Sequence, residues 1–283
     1  MDTMTQITEE SFEHILNKLK NSAVIDLQEV SFIDPYGMVG LLEIGEIFQT
    51  QDTRKPLYLP KSEEVLRYLE RMDFFKFAPR YFEFEQYEPK ISEKYLRSSD
   101  SEVLLEITPI EKSDDIHLIV GKVKNRAHSI LKKQLKYDER AINGFIVSLS
   151  EICQNILEHS ETKGFVGIQK YYFQNMEKNM VKIAVMDSGI GFRKSLAKRF
   201  SLKSDLRSME EALIHGASRY TEEGRGHGLA AVRRFVKQWN GKISIRSGTA
   251  KLSIIPEWAW GKQKEYNLTR FPGAQINILL PEI

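Results

Sequence analysis

The stretch that decides the fold runs from residue 145 to residue 159 and reads FIVSLSEICQNILEH. Its apolar residues recur at the spacing of one helix face, which predicts a stripe that packs into a core. That stripe consists of Phe145, Leu149, Ile152 and Ile156. A separate polar stripe consists of Ser148, Glu151, Asn155 and His159. The pattern therefore predicts an amphipathic helix, from about residue 139 to 159, whose polar side carries a hydroxyl, a carboxylate, an amide and an imidazole.

The polar stripe places a carboxylate and an amide one helical turn apart. Glu151 and Asn155 point the same way because residues four apart are neighbours on a helix surface. A carboxylate in that position can act as a general base toward a hydroxyl or water, and an amide oxygen can ligate Mg²⁺. Taken alone, the stripe is explained as simply by a solvated helix face.

A second chemical feature follows an alternating strand at residues 181–186. The strand ends in Asp187-Ser188-Gly189-Ile190-Gly191. Asp187 could accept a hydrogen bond from the exocyclic amine of adenine, and the glycines would let the backbone approach a purine closely. An ordinary glycine turn after a strand is the alternative.

A third feature is a glycine-rich run that leads into a helix reaching about Trp239. It reads Gly224-Arg225-Gly226-His227-Gly228-Leu229. Backbone amides at a helix start favour phosphate oxygens, and Arg225 could add a charge-assisted bond to a terminal phosphate. A flexible surface loop would have the same composition.

Together and in this order, the three features resemble the N, G1 and G2 boxes of the GHKL ATPase superfamily, over roughly residues 100–283. The resemblance implies an α/β sandwich of the Bergerat type, with helices on one face of a mixed sheet and with ATP and Mg²⁺ as cofactors. It implies that Asp187 binds adenine, Asn155 binds Mg²⁺ and Glu151 is the base, while residues 192–223 form a lid. The other implied nucleotide-binding residues are His159, Gly189, Gly191, Gly224, Arg225, Gly226, His227, Gly228 and Leu229. One departure is Ala274, which stands where many members carry a threonine.

The residues after Asn155 indicate a branch of that superfamily. Glu158 stands where histidine kinases usually carry a lysine, and His159 follows it. This pattern resembles the anti-sigma serine kinases more closely. His128, the one candidate for a phosphoacceptor histidine, is too close to Glu151 in the sequence for that role.

The first 80 residues alternate short apolar strands with amphipathic helices. Residues 24–27 and 30–38 resemble the STAS domain of anti-sigma-factor antagonists, although the strand that usually opens that domain is not evident. Asp34-Pro35 is typical of a helix N-cap followed by proline at the first helical position. Tyr36 occupies the position of the serine that is phosphorylated in those antagonists. We predict a STAS-like domain at residues 1–94 and the ATPase-like domain at residues 95–283.

Composition limits the classes of protein to which the chain could belong. The 283 residues are 41% hydrophobic and 28% charged, with a formal net charge of +2. These values suit two globular domains and provide no global field that would draw the protein to nucleic acid or to a membrane. With one cysteine and no apolar run of about 20 residues, we expect a cytoplasmic protein without a membrane span.

These features predict a regulator that uses Mg·ATP, either as a serine/threonine kinase or as an ATPase in bacterial signalling. One alternative is a non-enzymatic switch or scaffold whose partner affinity is gated by ATP. Another is a chaperone-like ATPase that cycles as a homodimer. The expected partner is a STAS-type or other regulatory protein.

Overall fold

The computed structural model describes residues 5–19, 22, 24–50, 54–84, 102–197, 199–218 and 228–283. The chain divides into two compact units, Met1–Ser101 and Glu102–Ile283. The boundary predicted near residue 95 lies outside the described residues.

The N-terminal unit alternates short strands and helices. Its elements are β1 (Gln6–Ile7), α1 (Phe12–Leu19), β2 (Ile25–Asp26), β3 (Phe32–Ile33), α2 (Pro35–Thr50), β4 (Lys55–Tyr58), α3 (Glu63–Arg71), α4 (Phe74–Phe77) and β5 (Phe82–Glu83). β1 pairs with β3, and β4 pairs with both β2 and β5. All these pairs are parallel. β1 has only two residues and is too short to display an alternating pattern in the sequence.

The start of α2 follows the capping chemistry that the sequence predicts. The Gly37 amide donates a hydrogen bond of 2.8 Å to Asp34 Oδ1, and Asp34 is fully buried. Tyr36 is also buried, with its ring edge-on to Phe12 at 5.3 Å between centroids. Tyr36 is thus a core residue of the folded unit, and its side chain is inaccessible to a modifying enzyme.

The C-terminal unit is a layer of helices on a sheet. Its elements are β6 (Val103–Ile110), α5 (Ser113–Ala127), α6 (Glu139–Asn155), β7 (Gly164–Phe173), β8 (Lys178–Asp187), α7 (Gly191–Leu196), α8 (Asp205–His215), α9 (Gly228–Gln238), β9 (Lys242–Gly248), β10 (Ala250–Ile254), β11 (Lys264–Glu265) and β12 (Phe271–Pro281). α5 continues into a π-helical turn at His128–Lys132, and α6 continues into one at Ile156–Ser160. The sequence predicts α6 but not the change of helical pitch at its end.

The predicted α/β sandwich is confirmed, with one correction to the sheet. Its described strands lie in the order β11-β10-β9-β12-β8-β7-β6. Every neighbouring pair is antiparallel, so the sheet is not mixed. β8 and β9, which α7, α8 and α9 separate in the sequence, run in the same direction. They do not pair with each other, because β12 lies between them and pairs antiparallel with both.

The helices pack on one face of this sheet. Alternate strand residues such as Val185, Ile245 and Ile278 join the core formed by the helices. Several of the residues between them are polar, as at Lys182, Ser244 and Asn277, but these side chains are buried as well. No helix in the described ranges combines the length and the apolar character that a bilayer-spanning helix needs.

The segment predicted as a lid contains α7 and α8 within its described part. Asp205, at the start of α8, accepts hydrogen bonds from the Thr249 amide at 2.9 Å and from Thr249 Oγ1 at 3.1 Å. Farther along α8, Glu210 pairs with Lys264 at 2.7 Å. These contacts fix α8 to the sheet at the β9–β10 turn and at β11.

A buried ion pair joins β6 to α5. The two Arg126 guanidinium nitrogens donate to the two Glu106 carboxylate oxygens at 2.9 and 3.0 Å, and the Glu106 side chain is 3% exposed. We expect Arg126→Ala to lower the free energy of unfolding by about 3 kcal/mol, because it leaves a buried carboxylate without its counter-ion. Chemical denaturation followed by tryptophan fluorescence measures this directly, since Trp239, Trp258 and Trp260 all lie in the C-terminal unit.

Lys132→Ala is the matched control for this prediction. Lys132 pairs with Glu139 at 2.6 Å, but the two side chains are 45% and 71% exposed. Exposed pairs contribute little, so we expect a loss of less than about 1 kcal/mol. Equal losses in the two variants would contradict a structural role for the buried pair.

Candidate functional site

A cavity of about 320 Å³ lies where the end of α6, the end of β8, α7 and the start of α9 meet. It contains most of the residues that the sequence singles out and that the structure describes. Those lining it are Glu151, Asn155, His159, Asp187, Gly191, Gly228 and Leu229. Ser148 belongs to the predicted polar stripe, but it is buried and does not line the cavity.

α6 presents the carboxylate and the amide as predicted. The Asn155 side chain donates from Nδ2 to the Glu151 backbone carbonyl at 2.8 Å. This bond fixes the orientation of the amide and does not use Oδ1. Oδ1 is the amide atom that can ligate a hard cation. Residues on a well-formed helix hold such groups more rigidly than a loop would.

The start of α9 lies directly against Glu151. A Cβ atom added at Gly228 would come within 2.4 Å of Glu151 Oε2. The absence of a side chain at Gly228 allows this approach, which brings the backbone of α9 next to the carboxylate. The cavity therefore places the Glu151 carboxylate next to the first described residues of α9.

Asp187 ends β8 with its side chain at the cavity. The residue is 4% exposed, and Oδ1 accepts a hydrogen bond of 2.9 Å from the Gly189 amide. Burial raises the pKa of Asp187 to about 7, although hydrogen bonds from the Gly189 and Ala274 amides act in the opposite direction. A carboxyl group with this pKa is partly protonated at neutral pH, so it can both donate and accept hydrogen bonds.

The glycine turn after Asp187 is fixed to the π-helical end of α6. The Ile190 amide donates to the Ser160 carbonyl at 3.0 Å, and a Cβ at Gly189 would lie 2.1 Å from the same oxygen. Gly189 itself does not line the cavity, so its role here is close packing of the backbone. Gly191 does line it and has a φ of +72°, which glycine adopts without strain.

The structure adds contacts at β12 and β9 that sequence reasoning missed. Ala274 pairs with Asp187 across β12 and β8, and Gly273 packs its backbone against the Asp187 carbonyl. Ser247 Oγ donates to the Gly273 carbonyl at 2.6 Å and accepts from the Phe192 amide at 3.3 Å. This hydroxyl is held beside the site by backbone groups and is not among the groups that line the cavity. Gly273 is preceded by a proline, which was the one local indication of a special turn.

Glu158 also lines the cavity. Sequence reasoning noted this residue only because histidine kinases usually carry a lysine at its position. Its Oε1 accepts a hydrogen bond of 3.0 Å from Gln154 Nε2, and its Oε2 lies 3.9 Å from His159 Nε2. The π-helical turn contains both Glu158 and His159. Such turns are frequent at functional sites because they reorient side chains at a helix end.

Part of the predicted glycine-rich loop cannot be placed. Gly224, Arg225, Gly226 and His227 lie outside the described residues, while Gly228 and Leu229 lie at the cavity. Within the described ranges, no group of three or more His, Cys, Asp or Glu side chains could hold a metal ion by itself.

Comparison with known families confirms the resemblance for part of the chain. Residues 143–275 match the family model described as "Histidine kinase-, DNA gyrase B-, and HSP90-like ATPase". The match begins in α6 and ends in β12, so it contains all the cavity residues discussed above. The chain therefore contains a GHKL-like ATPase domain over these residues, which supports ATP binding. No curated protein matched the chain.

The contact between Gly189 and Ser160 generates a stability prediction. We expect Gly189→Ala to lower the free energy of unfolding by about 1–3 kcal/mol, because the new Cβ would press on a backbone oxygen that cannot rotate away. Gly121→Ala, in the middle of α5, is the control. Its Cβ would meet nothing within 4 Å, so it should stabilise the protein by about 0.5–1 kcal/mol. Denaturation curves in which both variants behave alike would contradict this account.

The raised pKa of Asp187 generates a pH prediction. Ionisation of a carboxyl whose pKa rises from 3.8 to about 7 on folding is penalised in the native state. The penalty is absent below about pH 4, grows up to about pH 7 and is constant above that. The stability of the wild type relative to Asp187→Asn should therefore fall between pH 5 and pH 8. If the unfolding free energies of the wild type and Asp187→Asn differ by the same amount at pH 5 and at pH 8, the raised pKa of Asp187 is contradicted.

Proposed function

We propose that this protein is a signalling regulator that binds Mg·ATP in the cavity of its C-terminal unit and transfers or hydrolyses the terminal phosphate. The observation that carries the proposal is the meeting of Glu151, Asn155, Asp187 and Gly228 around one cavity. These four residues come from α6, β8 and α9, which are far apart in the sequence. Each supplies a different group that a nucleotide requires.

Asp187 is the proposed adenine-binding residue. It lies at a buried end of the cavity, where water does not compete strongly for its hydrogen bonds. An adenine edge offers an amine donor next to a ring-nitrogen acceptor. A carboxyl group that can both accept and donate matches both atoms.

Asn155 is the proposed ligand of the magnesium ion. Its amide is oriented by the bond to the Glu151 carbonyl, and oxygen is the donor that Mg²⁺ prefers. When bound, the ion would offset the negative charge of the phosphates. The remaining chemistry belongs to the protein side chains.

Glu151 is the proposed general base. Its carboxylate lines the cavity beside the first turn of α9, where amide groups would attract phosphate oxygens. A carboxylate there can accept the proton of an attacking hydroxyl or water. Serine or threonine on a separate protein is the proposed acceptor, because Tyr36, at the position equivalent to the phosphoacceptor, is buried.

The N-terminal unit is proposed to select the protein partner. Its alternation of parallel strands and helices, and its capped α2, support the STAS resemblance. Since that unit lies outside residues 143–275, the family match gives no information on it. A partner that itself carries a STAS-type domain is the proposed substrate.

The decisive test measures nucleotide binding by calorimetry and phosphate release for the full-length chain with Mg²⁺ and ATP. Asp187→Asn should weaken binding at least tenfold, because an amide reverses one hydrogen bond to adenine or to the backbone. Glu151→Gln keeps the side-chain shape against Gly228, so it should spare binding and lower turnover by about 10²–10⁴-fold. Glu257→Gln, at an exposed residue outside the cavity, is the control and should change neither.

Two outcomes would change the conclusion. Failure of the intact chain to bind ATP would contradict the proposal as a whole. Binding without phosphate release or transfer, with Glu151→Gln indistinguishable from the wild type, would favour the non-enzymatic switch.

A further inference from the structure

Ser247, near the end of β9, carries a buried hydroxyl that connects three separate segments of the chain. The residue is 3% exposed. Its Oγ donates a hydrogen bond of 2.6 Å to the Gly273 carbonyl in β12 and accepts one of 3.3 Å from the Phe192 amide in α7. These partners lie 26 and 55 residues away along the chain. The hydroxyl therefore fixes a contact between segments that no local structure brings together.

Two glycines close around this hydroxyl. A Cβ atom at Gly191 would come within 2.7 Å of Ser247 Oγ and 3.0 Å of the Gly273 carbonyl oxygen. A Cβ atom at Gly273 would lie 2.0 Å from the Asp187 carbonyl oxygen. Both glycines have a positive φ, of 72° and 74°, which glycine adopts without strain. The start of α7 and the start of β12 therefore meet at Ser247, against the backbone of Asp187.

The segments that Ser247 connects carry residues that line the cavity together with Asp187. Gly191 and Phe192 line it from the start of α7, and Ala274 lines it from β12. The Ala274 amide also donates a hydrogen bond to the Asp187 carboxyl group. Ser247 does not itself line the cavity, so it can act on a bound molecule only through these neighbours.

We propose that Ser247 is a positioning residue for the base of the nucleotide, because it holds the start of α7 against the strand that flanks Asp187. The inference rests on the proposed function, which assigns the Asp187 end of the cavity to adenine. Loss of the hydroxyl removes the shared partner of the Gly273 carbonyl and the Phe192 amide, so the two segments can shift apart. Binding groups must be held to within about 0.5 Å by such supporting bonds. The groups proposed to act at the phosphates lie on α6 and α9 and keep their positions.

The test compares ATP with inorganic triphosphate, which has no base, as ligands of the full-length chain in the presence of Mg²⁺. Competition against a fluorescent nucleotide measures both affinities. Ser247→Ala should weaken ATP binding about five- to tenfold, the effect of losing one hydrogen bond, and should leave triphosphate binding unchanged. In assays of phosphate release, the same variant should raise the KM for ATP and leave kcat unchanged, because it removes binding of the base and not a chemical group.

Ser253→Ala is the matched control. Ser253 is a buried serine of the same sheet, its Oγ donates to Ser244 Oγ at 2.9 Å, and neither residue lines the cavity. This variant also loses one buried hydrogen bond, so its affinity for both ligands should stay that of the wild type while its stability falls about as much as that of Ser247→Ala. Ser247→Cys fills the same space with a weaker donor and should show the same selective loss of ATP affinity to a smaller extent.

The outcomes separate this inference from the proposed function. If the wild type binds ATP and the Ser247 variants bind it equally well, or lose affinity for ATP and triphosphate to the same degree, Ser247 does not position the base and the inference is wrong. The same selective loss in Ser253→Ala would also overturn it. If the wild type does not bind ATP, the proposed function fails and this inference fails with it. Tryptophan fluorescence verifies that each variant is folded, and Ser247→Cys decides the question if Ser247→Ala is not.

Discussion

The cavity depends on a close backbone contact between the end of α6 and the turn after β8. The Ser160 carbonyl accepts the Ile190 amide at 3.0 Å and leaves no room for a side chain at Gly189. The same turn orients Asp187, because the Gly189 amide donates to its carboxyl group. One glycine thus fixes the distance between the helix that carries Glu151 and Asn155 and the strand that carries Asp187. The rest of the site is built on that spacing.

The site is held in a state that costs stability. Burial of Asp187 disfavours its ionised form, and two backbone amides offset only part of that cost. Glu151 and Glu158 add carboxylates to the same cavity. A fold selected for stability alone would not gather these groups, whereas the proposed site for a cation and an adenine base would use them. The unfavourable electrostatics of the protein by itself are therefore consistent with a ligand of the opposite chemistry.

Residues on a single element were predicted well from the sequence, and contacts between elements were not. The two stripes of α6 and the strand that ends at Asp187 follow from periodicity, which reports the local fold directly. Ser160, Ser247 and Gly273 escaped notice because their partners are distant along the chain, and no local pattern encodes such contacts. The insertion of β12 between β8 and β9, which makes the sheet antiparallel, is likewise a property of the whole topology.

The helix α6 and its π-helical end supply both polar side chains to the cavity and a backbone carbonyl to the turn after β8. Glu151 and Asn155 face the cavity from its α-helical part, and Glu158 and His159 face it from the π turn. Positions 151, 155, 158 and 159 recur at intervals that place them on one face of a helix, and the wider π-helical turn contains the last two. The wider turn also delivers the Ser160 carbonyl to the glycine turn after Asp187. The π-helical turn therefore contributes both to the polar wall of the cavity and to the backbone contact between Ser160 and Ile190.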